Sequence, residues 1–243
     1  GSTTVSAVDF TGMNALNKLD LTAYLYGAMP SSGTTMTNDL QTYSPLLLPT
    51  MSPYGAPTST YSDIGNVAGV AGAVTDWVKV EVRDAANPAT ILETKSLLLK
   101  TNGHIVDVNG NIPTFKDHGS SVMVAVNHRN HLAILSNSLA GAFEGLNTSY
   151  NFSSALSQAS NPFGDPDQMI VKNGVWCLNP GDVNGDLAVD ANDTPAFFTA
   201  FNLGTFDEYM NTDLNFDGAL DANDTPFFFT PFNLGLYSTI INY

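Results

Sequence analysis

Two stretches of the 243-residue sequence place oxygen-bearing side chains at a spacing that suits a hard metal cation. Residues 182–204 (DVNGDLAVDANDTPAFFTAFNLG) and 213–235 (DLNFDGALDANDTPFFFTPFNLG) are offset by 31 residues and identical at 17 of 23 positions. Each copy begins with alternating Asp and Asn residues and continues into an apolar stretch. A repeat this faithful indicates one structural unit that is used twice.

Each copy begins with a twelve-residue loop that offers oxygens at positions one, three, five, seven, nine and twelve, the spacing of an EF-hand calcium loop. Position seven contributes a backbone carbonyl, and the other positions contribute side chains. In the first loop these residues are Asp182, Asn184, Asp186, Ala188, Asp190 and Asp193. In the second loop they are Asp213, Asn215, Asp217, Ala219, Asp221 and Asp224. Because a calcium ion takes about six to eight oxygens, the sequence predicts two calcium (Ca2+) ions, one per loop.

The two loops depart from the usual pattern at two positions. Position twelve is Asp instead of Glu in both, so the backbone must come closer to the ion for bidentate binding. Position six is Gly218 in the second loop but Leu187 in the first. That position takes a backbone conformation that is costly for a residue with a side chain. The first site is therefore expected to be weaker or distorted.

A helix is predicted after each loop. The Thr-Pro pairs at Thr194 and Thr225 place its first turn, because proline is tolerated there, and a glycine ends it. Asp190 and Asp221 are expected to cap the helices. Their apolar residues are Phe197, Phe198, Phe201 and Leu203 in the first copy, and Phe228, Phe229, Phe232 and Leu234 in the second. Residues this bulky fit a docking face or a core, and both alternatives stay open.

A calcium loop followed by a single helix, duplicated and with Asp at position twelve, resembles the type I dockerin over residues 181–236. The resemblance implies that the loops bind calcium and that the helices recognise a cohesin-like domain or another surface protein domain. It also implies that residues 191–192 and 222–223 (Ala-Asn in both copies) occupy the partner-recognition positions. A structural calcium clamp that rigidifies the end of a longer protein is the alternative role.

Composition narrows the class of protein. The formal net charge is −15, and residues 181–243 hold ten Asp or Glu and no Lys or Arg. Nucleic acid is an unsuitable partner because phosphate contacts need clustered Lys and Arg. With Cys177 as its single cysteine, the chain cannot form an intramolecular disulfide. It also contains no run of 18 apolar residues, so no membrane span is predicted. Acidic calcium loops in a lysine-poor chain indicate a secreted or cell-surface protein, since extracellular calcium keeps weak sites filled.

Short alternating segments dominate the first 179 residues. Residues 17–28 and 76–84 alternate apolar and polar side chains, and hairpins are predicted around residues 102–103 and 128–130. Two further strands are predicted at 150–156 and 169–178. About seven or eight such strands predict a mainly β fold, an antiparallel β-sandwich over residues 1–179. A Pro-rich segment, residues 30–75, forms a long loop that is functional or an inert connection. Residues 180–243 form the small α-helical, dockerin-like EF-hand pair.

Residues 76–136 supply a second resemblance. The stretches DWVKVEVRD and VNHRNHLAILS, with the hairpin between them, resemble a module of large secreted and cell-surface proteins of Bacteroidetes and related bacteria. This resemblance implies a β fold at a bacterial surface and no particular reaction.

Other clusters of polar residues in the β region have ordinary explanations. Lys79, Glu81 and Arg83 are expected to form a solvated charged ladder on one strand. His128 and His131 flank a turn, so their side chains are expected to point to opposite faces or to splay across the turn, and to make structural hydrogen bonds.

The sequence contains none of the nucleophile, zinc-protease, phosphate-loop or dinucleotide motifs. The predicted function is therefore a non-enzymatic extracellular bacterial surface module, stabilised by two calcium ions, that gives structural support or docks another protein. The alternative is a carbohydrate-binding or carbohydrate-active protein that carries the acidic pair as an appendage.

Overall fold

The computed structural model describes residues 17–55, 73–119, 121–140 and 147–243. The beginning of the predicted first domain and the middle of the Pro-rich segment lie outside the described residues. The predicted boundary between residues 179 and 180 stays a prediction, and several contacts described below cross it.

In this part of the chain the backbone is mainly β. The strands are β1 (Asn17–Thr22), β2 (Val74–Asp84), β3 (Ile91–Lys100), β4 (His104–Val106), β5 (Thr114–Phe115), β6 (Ser121–His128), β7 (His131–Leu135), β8 (Leu139–Ala140), β9 (Thr148–Asn151), β10 (Met169–Lys172) and β11 (Val175–Leu178). The helices are α1 (Asp39–Thr42), α2 (Thr194–Leu203) and α3 (Thr225–Leu234), with short 3-10 helices at Phe152–Ser154, Leu156–Gln158 and Thr239–Asn242.

Nine of these strands form one hydrogen-bonded sheet in the order β5-β1-β4-β3-β2-β6-β7, with β8 paired to β6 and β9 paired to β1. All of its pairings are antiparallel except that of β1 with β9, which is parallel. Strands β10 and β11 form a separate hairpin. The prediction of a mainly β, antiparallel fold is confirmed at this level.

Alternation in the sequence explains which faces are buried. Leu19, Leu21, Ala23 and Leu25 are all buried, whereas the intervening side chains of residues 20–26 are half-buried. The first predicted hairpin also forms, since β3 and β4 pair across residues 101–103 and Gly103 has the positive φ of 85° that its turn requires. The strand pattern of the sequence therefore determines the sheet near its centre.

Three predictions in the β region are wrong. The strand predicted at 150–156 ends at Asn151, and two 3-10 turns follow at Phe152–Ser154 and Leu156–Gln158. Asn151 accepts a hydrogen bond from the backbone N–H of Ser153 and so caps the first of these turns. Residues 169–178 are a hairpin instead of one strand, with its turn at residues 173–174. The ladder on β2 is not solvated, since Glu81 and Arg83 are 3% and 8% exposed. Arg83 is bonded to both Glu81 and the carbonyl of Pro88.

The two long helices follow the predicted pattern at both ends. Each begins at its threonine and ends at a glycine in the left-handed conformation, Gly204 (φ 60°) and Gly235 (φ 59°). They pack against each other through equivalent residues, because the rings of Phe197 and Phe228 stack with centroids 4.4 Å apart and are fully buried. Among the described residues, no helix is long and apolar enough to cross a membrane.

Candidate metal centre

The carboxylate at position one folds each loop around itself. Asp182 accepts hydrogen bonds from the backbone N–H groups of Gly185 (2.8 Å), Asp186 (3.1 Å) and Leu187 (3.2 Å). Asp213 accepts them from Phe216 (2.7 Å) and Gly218 (3.1 Å). The N–H groups of positions four and six therefore point inward in both copies.

The carboxylate at position twelve joins the two ends of its loop. Asp193 accepts hydrogen bonds from the backbone N–H groups of Val183 (2.9 Å), Asn184 (3.1 Å) and Asp190 (2.9 Å). Asp224 makes the three equivalent bonds in the second copy. Both aspartates occupy the N-cap positions of α2 and α3, without a side-chain cap bond to the helix.

The predicted caps at Asp190 and Asp221 are wrong. Asp190 accepts from the N–H of Asn192, and Asp221 accepts from the N–H of Asn223, so both carboxylates fold the turn before the helix. The intervening Thr-Pro pair explains this outcome, because the regular helix begins only at the threonine.

The remaining positions lie nearer the surface. Asn184 and Asp186 are exposed, and the amide of Asn184 donates to the carboxylate of Asp186 at 2.9 Å. The equivalent Asn215 and Asp217 make the same bond at 2.8 Å. Each loop therefore has a buried base made by positions one and twelve and a solvated rim made by positions three, five and nine.

Burial of the base carboxylates is costly without a cation. Asp182 is 2% exposed, and Asp193, Asp213 and Asp224 are 0% exposed. Burial, with the charge of Asp193 beside it, raises the pKa of Asp182 to about 7. Burial likewise raises the pKa of Asp213 to about 7 and that of Asp224 to about 6, although Arg129 opposes the shift at Asp213. A bound divalent cation would stabilise the charged forms.

The donor chemistry fits calcium. Every predicted ligand atom is an oxygen. Within the described part of the chain, the buried base carboxylates lack a counter-charge apart from Arg129 near Asp213. Among the described residues, no three His, Cys, Asp or Glu side chains form a metal-holding group by themselves. The predicted sets also depend on the Asn amides and on the carbonyls of Ala188 and Ala219. The convergence of these oxygens on one ion stays a prediction.

Both loops contain two left-handed residues, at positions four and six. These are Gly185 (φ 76°) and Leu187 (φ 74°) in the first loop, and Phe216 (φ 67°) and Gly218 (φ 82°) in the second. Each loop thus has one glycine and one bulky residue in a conformation that costs about 1–2 kcal/mol for a side chain. Leu187 takes the costly conformation that the sequence led us to expect, but Phe216 carries the same kind of strain in the second loop. The expectation that the first site is the weaker one therefore stays a prediction.

Packing offsets this strain. Leu187 packs on the cluster formed by Met123, Ala125, Ala133, Leu135 and Ile240. Phe216 is fully buried and its ring lies 5.6 Å and 5.8 Å from the rings of His128 and His131. Each bulky residue therefore anchors its loop to the β-sheet.

The turn between β6 and β7 lies between the two loops. The carbonyl of Asn130 accepts from the N–H of Gly181 (2.9 Å), just before the first loop. Its side-chain amide donates to the carbonyl of Asp213 (2.7 Å), the first residue of the second loop. Asn130 is fully buried, so one residue of the β6–β7 turn holds the beginnings of both loops.

His128 and His131 neither point to opposite faces nor splay apart across the turn. They are a cross-strand pair, with ring centroids 5.1 Å apart, because only two residues separate them in a tight hairpin. His128 is bonded to Asp76 (3.1 Å), and the N–H of Gly27 donates to Nε2 of His131 (3.2 Å). Both histidines thus have structural hydrogen-bonding roles.

Arg129 joins β2 to the stretch before the second loop. Its Nε donates to Asp76 at 2.9 Å, and its Nη1 donates to the carbonyl of Met210. The guanidinium of Arg129 lies over the ring of Tyr209, 4.5 Å from the ring centroid. The hydroxyl of Tyr209 donates to Asp76 at 2.7 Å. Burial raises the pKa of Asp76. The charge of Arg129 and the hydrogen bond and charge of His128 outweigh this effect and lower the pKa to about 2. Asp76, His128 and Arg129 therefore form a buried ionic cluster.

The loops pair reciprocally with two short segments that follow the helices. We name residues 205–207 the first return segment and residues 236–238 the second return segment. The first loop bonds to the second return segment, through Val189 N–H to Leu236 O (2.8 Å) and Ser238 N–H to Leu187 O (2.8 Å). The second loop bonds to the first return segment through the equivalent pairs Leu220–Thr205 (2.9 Å) and Asp207–Gly218 (2.8 Å). Each copy therefore supplies the segment that pairs with the loop of the other copy.

Part of the helix pair faces solvent. The exposed apolar side chains on or just after the helices are Phe198 (37%), Leu203 (76%), Phe206 (62%), Phe229 (37%) and Leu234 (62%). Residues 191–192 and 222–223, which the dockerin resemblance places at recognition positions, are also exposed. The helices thus have features of both alternatives. The buried Phe197–Phe228 contact is a core, and the exposed apolar side chains are available for docking.

Several residues of this region were absent from the sequence-based site. The sequence does carry a signal for Phe216. Glycine occupies position four in the first copy and position six in the second, which suggests that the backbone is left-handed at both positions of each loop. Asn130, Arg129 and Asp76 had none, because they meet the loops only through contacts between distant parts of the chain.

Comparison with known proteins adds little to this geometry. No family model and no curated protein matches the chain. Two solved structures that match are mutants of a type II cohesin–X-dockerin complex from Acetivibrio cellulolyticus. The N-terminal interface mutant matches at 18% identity over 68% of this chain and 84% of that chain, with a TM-score of 0.38. The C-terminal interface mutant matches at 14% identity over 93% and 99%, with a TM-score of 0.43. Similarity this weak defines neither a family nor a function.

Proposed function

We propose that the chain is a non-enzymatic module of a secreted or cell-surface bacterial protein, and that two calcium ions stabilise its C-terminal region. The ions bind in loops 182–193 and 213–224 and fasten this region to the β-sheet. The observation that carries the proposal is the buried base of each loop, where two carboxylates lie together with no lysine anywhere in residues 181–243.

Protein docking is the role that we assign to the helix pair. The rings of Phe198 and Phe229 lie 5.9 Å apart and are partly exposed, and Leu203 and Leu234 are exposed at the last residue of each helix, so the helix pair offers apolar area that its own contact leaves uncovered. Its dockerin-like sequence supports a cohesin-like or other surface domain as the partner. The fold class within this proposal is an antiparallel β-sandwich followed by a dockerin-like EF-hand pair.

Calcium titration by calorimetry tests the calcium sites. The expected result is two ions per chain, and a melting temperature that falls when a chelator is added. At a free calcium concentration one hundred times Kd, each site contributes about 2.7 kcal/mol, or about 5–10 °C. Asp182→Asn and Asp213→Asn should each remove one ion, because each removes the charge of a position-one ligand.

Asp107→Asn is the matched control. Asp107 also accepts two backbone N–H groups in an Asp-Asn-rich turn, but no ligand set follows it, so the variant should still bind two ions. Absence of calcium binding by the unaltered chain at millimolar calcium would contradict the proposal.

A further inference from the structure

The peptide that offers the position-seven carbonyl is held from both sides in the first loop. Ala188 at position seven lies between Leu187, whose carbonyl accepts from Ser238, and Val189, whose N–H donates to Leu236. These two bonds fix the backbone on either side of Ala188. They therefore set the direction of its carbonyl, the one ligand that has no side-chain freedom with which to adjust.

The second return segment and the short 3-10 helix that follows it are fastened to the β-sheet and to the residue before β10. The hydroxyl of Ser238 donates to the carbonyl of Ala133 at 2.6 Å, and the N–H of Thr239 donates to Gln168 at 2.7 Å. Ile240 is 6% exposed and packs in the same cluster that receives Leu187. The segment thus connects the first loop to strands of the sheet that are far away in sequence.

The second loop does not share this dependence. Its partner is the first return segment, which precedes it, and its own Phe216 is buried against the histidine pair and Arg129. Release of the second return segment would leave these contacts in place. The two loops, alike in sequence, therefore differ in what holds them.

We propose that Leu236 and Ser238 are positioning residues for the first calcium loop, so that calcium affinity at residues 182–193 depends on whether the second return segment is seated on the sheet. This inference rests on the proposed function, since it concerns the same calcium sites. A partner or a ligand that draws the segment away from the sheet lowers the affinity of one loop and leaves the other unchanged.

The test is a calcium titration of the whole chain carrying Ser238→Pro. Ser238 has φ −76°, which proline adopts, so the substitution removes the N–H that donates to Leu187 without demanding a new backbone angle at that residue. Loss of one hydrogen bond with its acceptor left unpaired should weaken the first site about tenfold. The second site should stay within about twofold, and Asp182→Asn and Asp213→Asn identify which site is which.

Ser238→Ala is the matched control, because it keeps the backbone donor and removes only the hydroxyl. Its first site should bind more tightly than that of Ser238→Pro. Ile240→Ser is a second variant that unseats the segment without altering that donor, and it should also weaken only the first site. Equal weakening of both sites, or unchanged affinity at the first site in Ser238→Pro, would overturn the inference. No calcium binding by the unaltered chain would instead overturn the proposed function.

Discussion

Left-handed backbone at positions four and six explains why glycine alternates between the two loops. Gly185 and Gly218 take one such position each, and Leu187 and Phe216 take the other. A strained residue persists where burial outweighs its strain. A Cβ on Gly218 would lie 2.6 Å from Cδ1 of Leu47, so that side chain would have to shift to admit a larger residue. The same backbone is thus stabilised in two ways, by a small residue or by an anchored one.

Glycine substitutions at the two strained residues should have unequal effects. Phe216→Gly removes a fully buried ring and should cost about 3 kcal/mol, since the relief of strain only partly offsets the lost packing. Leu187→Gly removes a half-buried side chain and should change stability by about 1 kcal/mol or less. Urea unfolding in saturating calcium measures both values, and equal losses would contradict the role of Phe216 as an anchor.

Residues in the loops could be predicted from the sequence because the spacing of Asp and Asn is local information. The start of the helices at Thr194 and Thr225 was predictable for the same reason. Asn130 was not, because its hydrogen bonds to Gly181 and Asp213 join residues that are far apart in the chain.

At the scale of elements, the hairpins are the most local part of the sheet and were predictable from their turns. The pairing of β1 with β9 was not, since those strands are parallel and lie more than 120 residues apart. The ionic cluster of Asp76 and Arg129 belongs to this non-local class. It joins β2 and the β6–β7 turn to the stretch that leads into the second loop.

Arg129→Met should cost about 3–5 kcal/mol, because it leaves the buried carboxylate of Asp76 without its main counter-charge. Asp76→Asn combined with Arg129→Met should cost less than the sum of the two single substitutions, as the pair is then removed together. Urea unfolding of the four proteins measures the coupling. Lys95→Met, which removes the half-buried partner of Glu93, is the control and should cost about 1 kcal/mol or less. Additive losses at Asp76 and Arg129 would contradict an ion pair that acts as a unit.

At the scale of the whole molecule, the sequence predicted the mainly β class and the place of the duplicated segment. It did not predict how closely the two parts meet. A Cβ on Gly27 would lie 1.8 Å from the carbonyl oxygen of Leu214, so the second loop requires glycine in this turn after β1. Such contacts depend on the final arrangement of elements, and no local pattern encodes them.

The charge of the molecule gives a last prediction. Because residues 181–243 carry ten acidic and no Lys or Arg residues, the calcium-free form repels itself, and added salt should screen this repulsion. Raising sodium chloride from about 0.02 M to about 0.5 M shortens the screening length several-fold. In chelator, the melting temperature should rise by about 3–6 °C, as expected for about 1–2 kcal/mol. With calcium bound, four positive charges offset part of the repulsion, so the rise should be less than half as large. Equal rises in the two forms would show that the loops do not hold the calcium that reduces this repulsion.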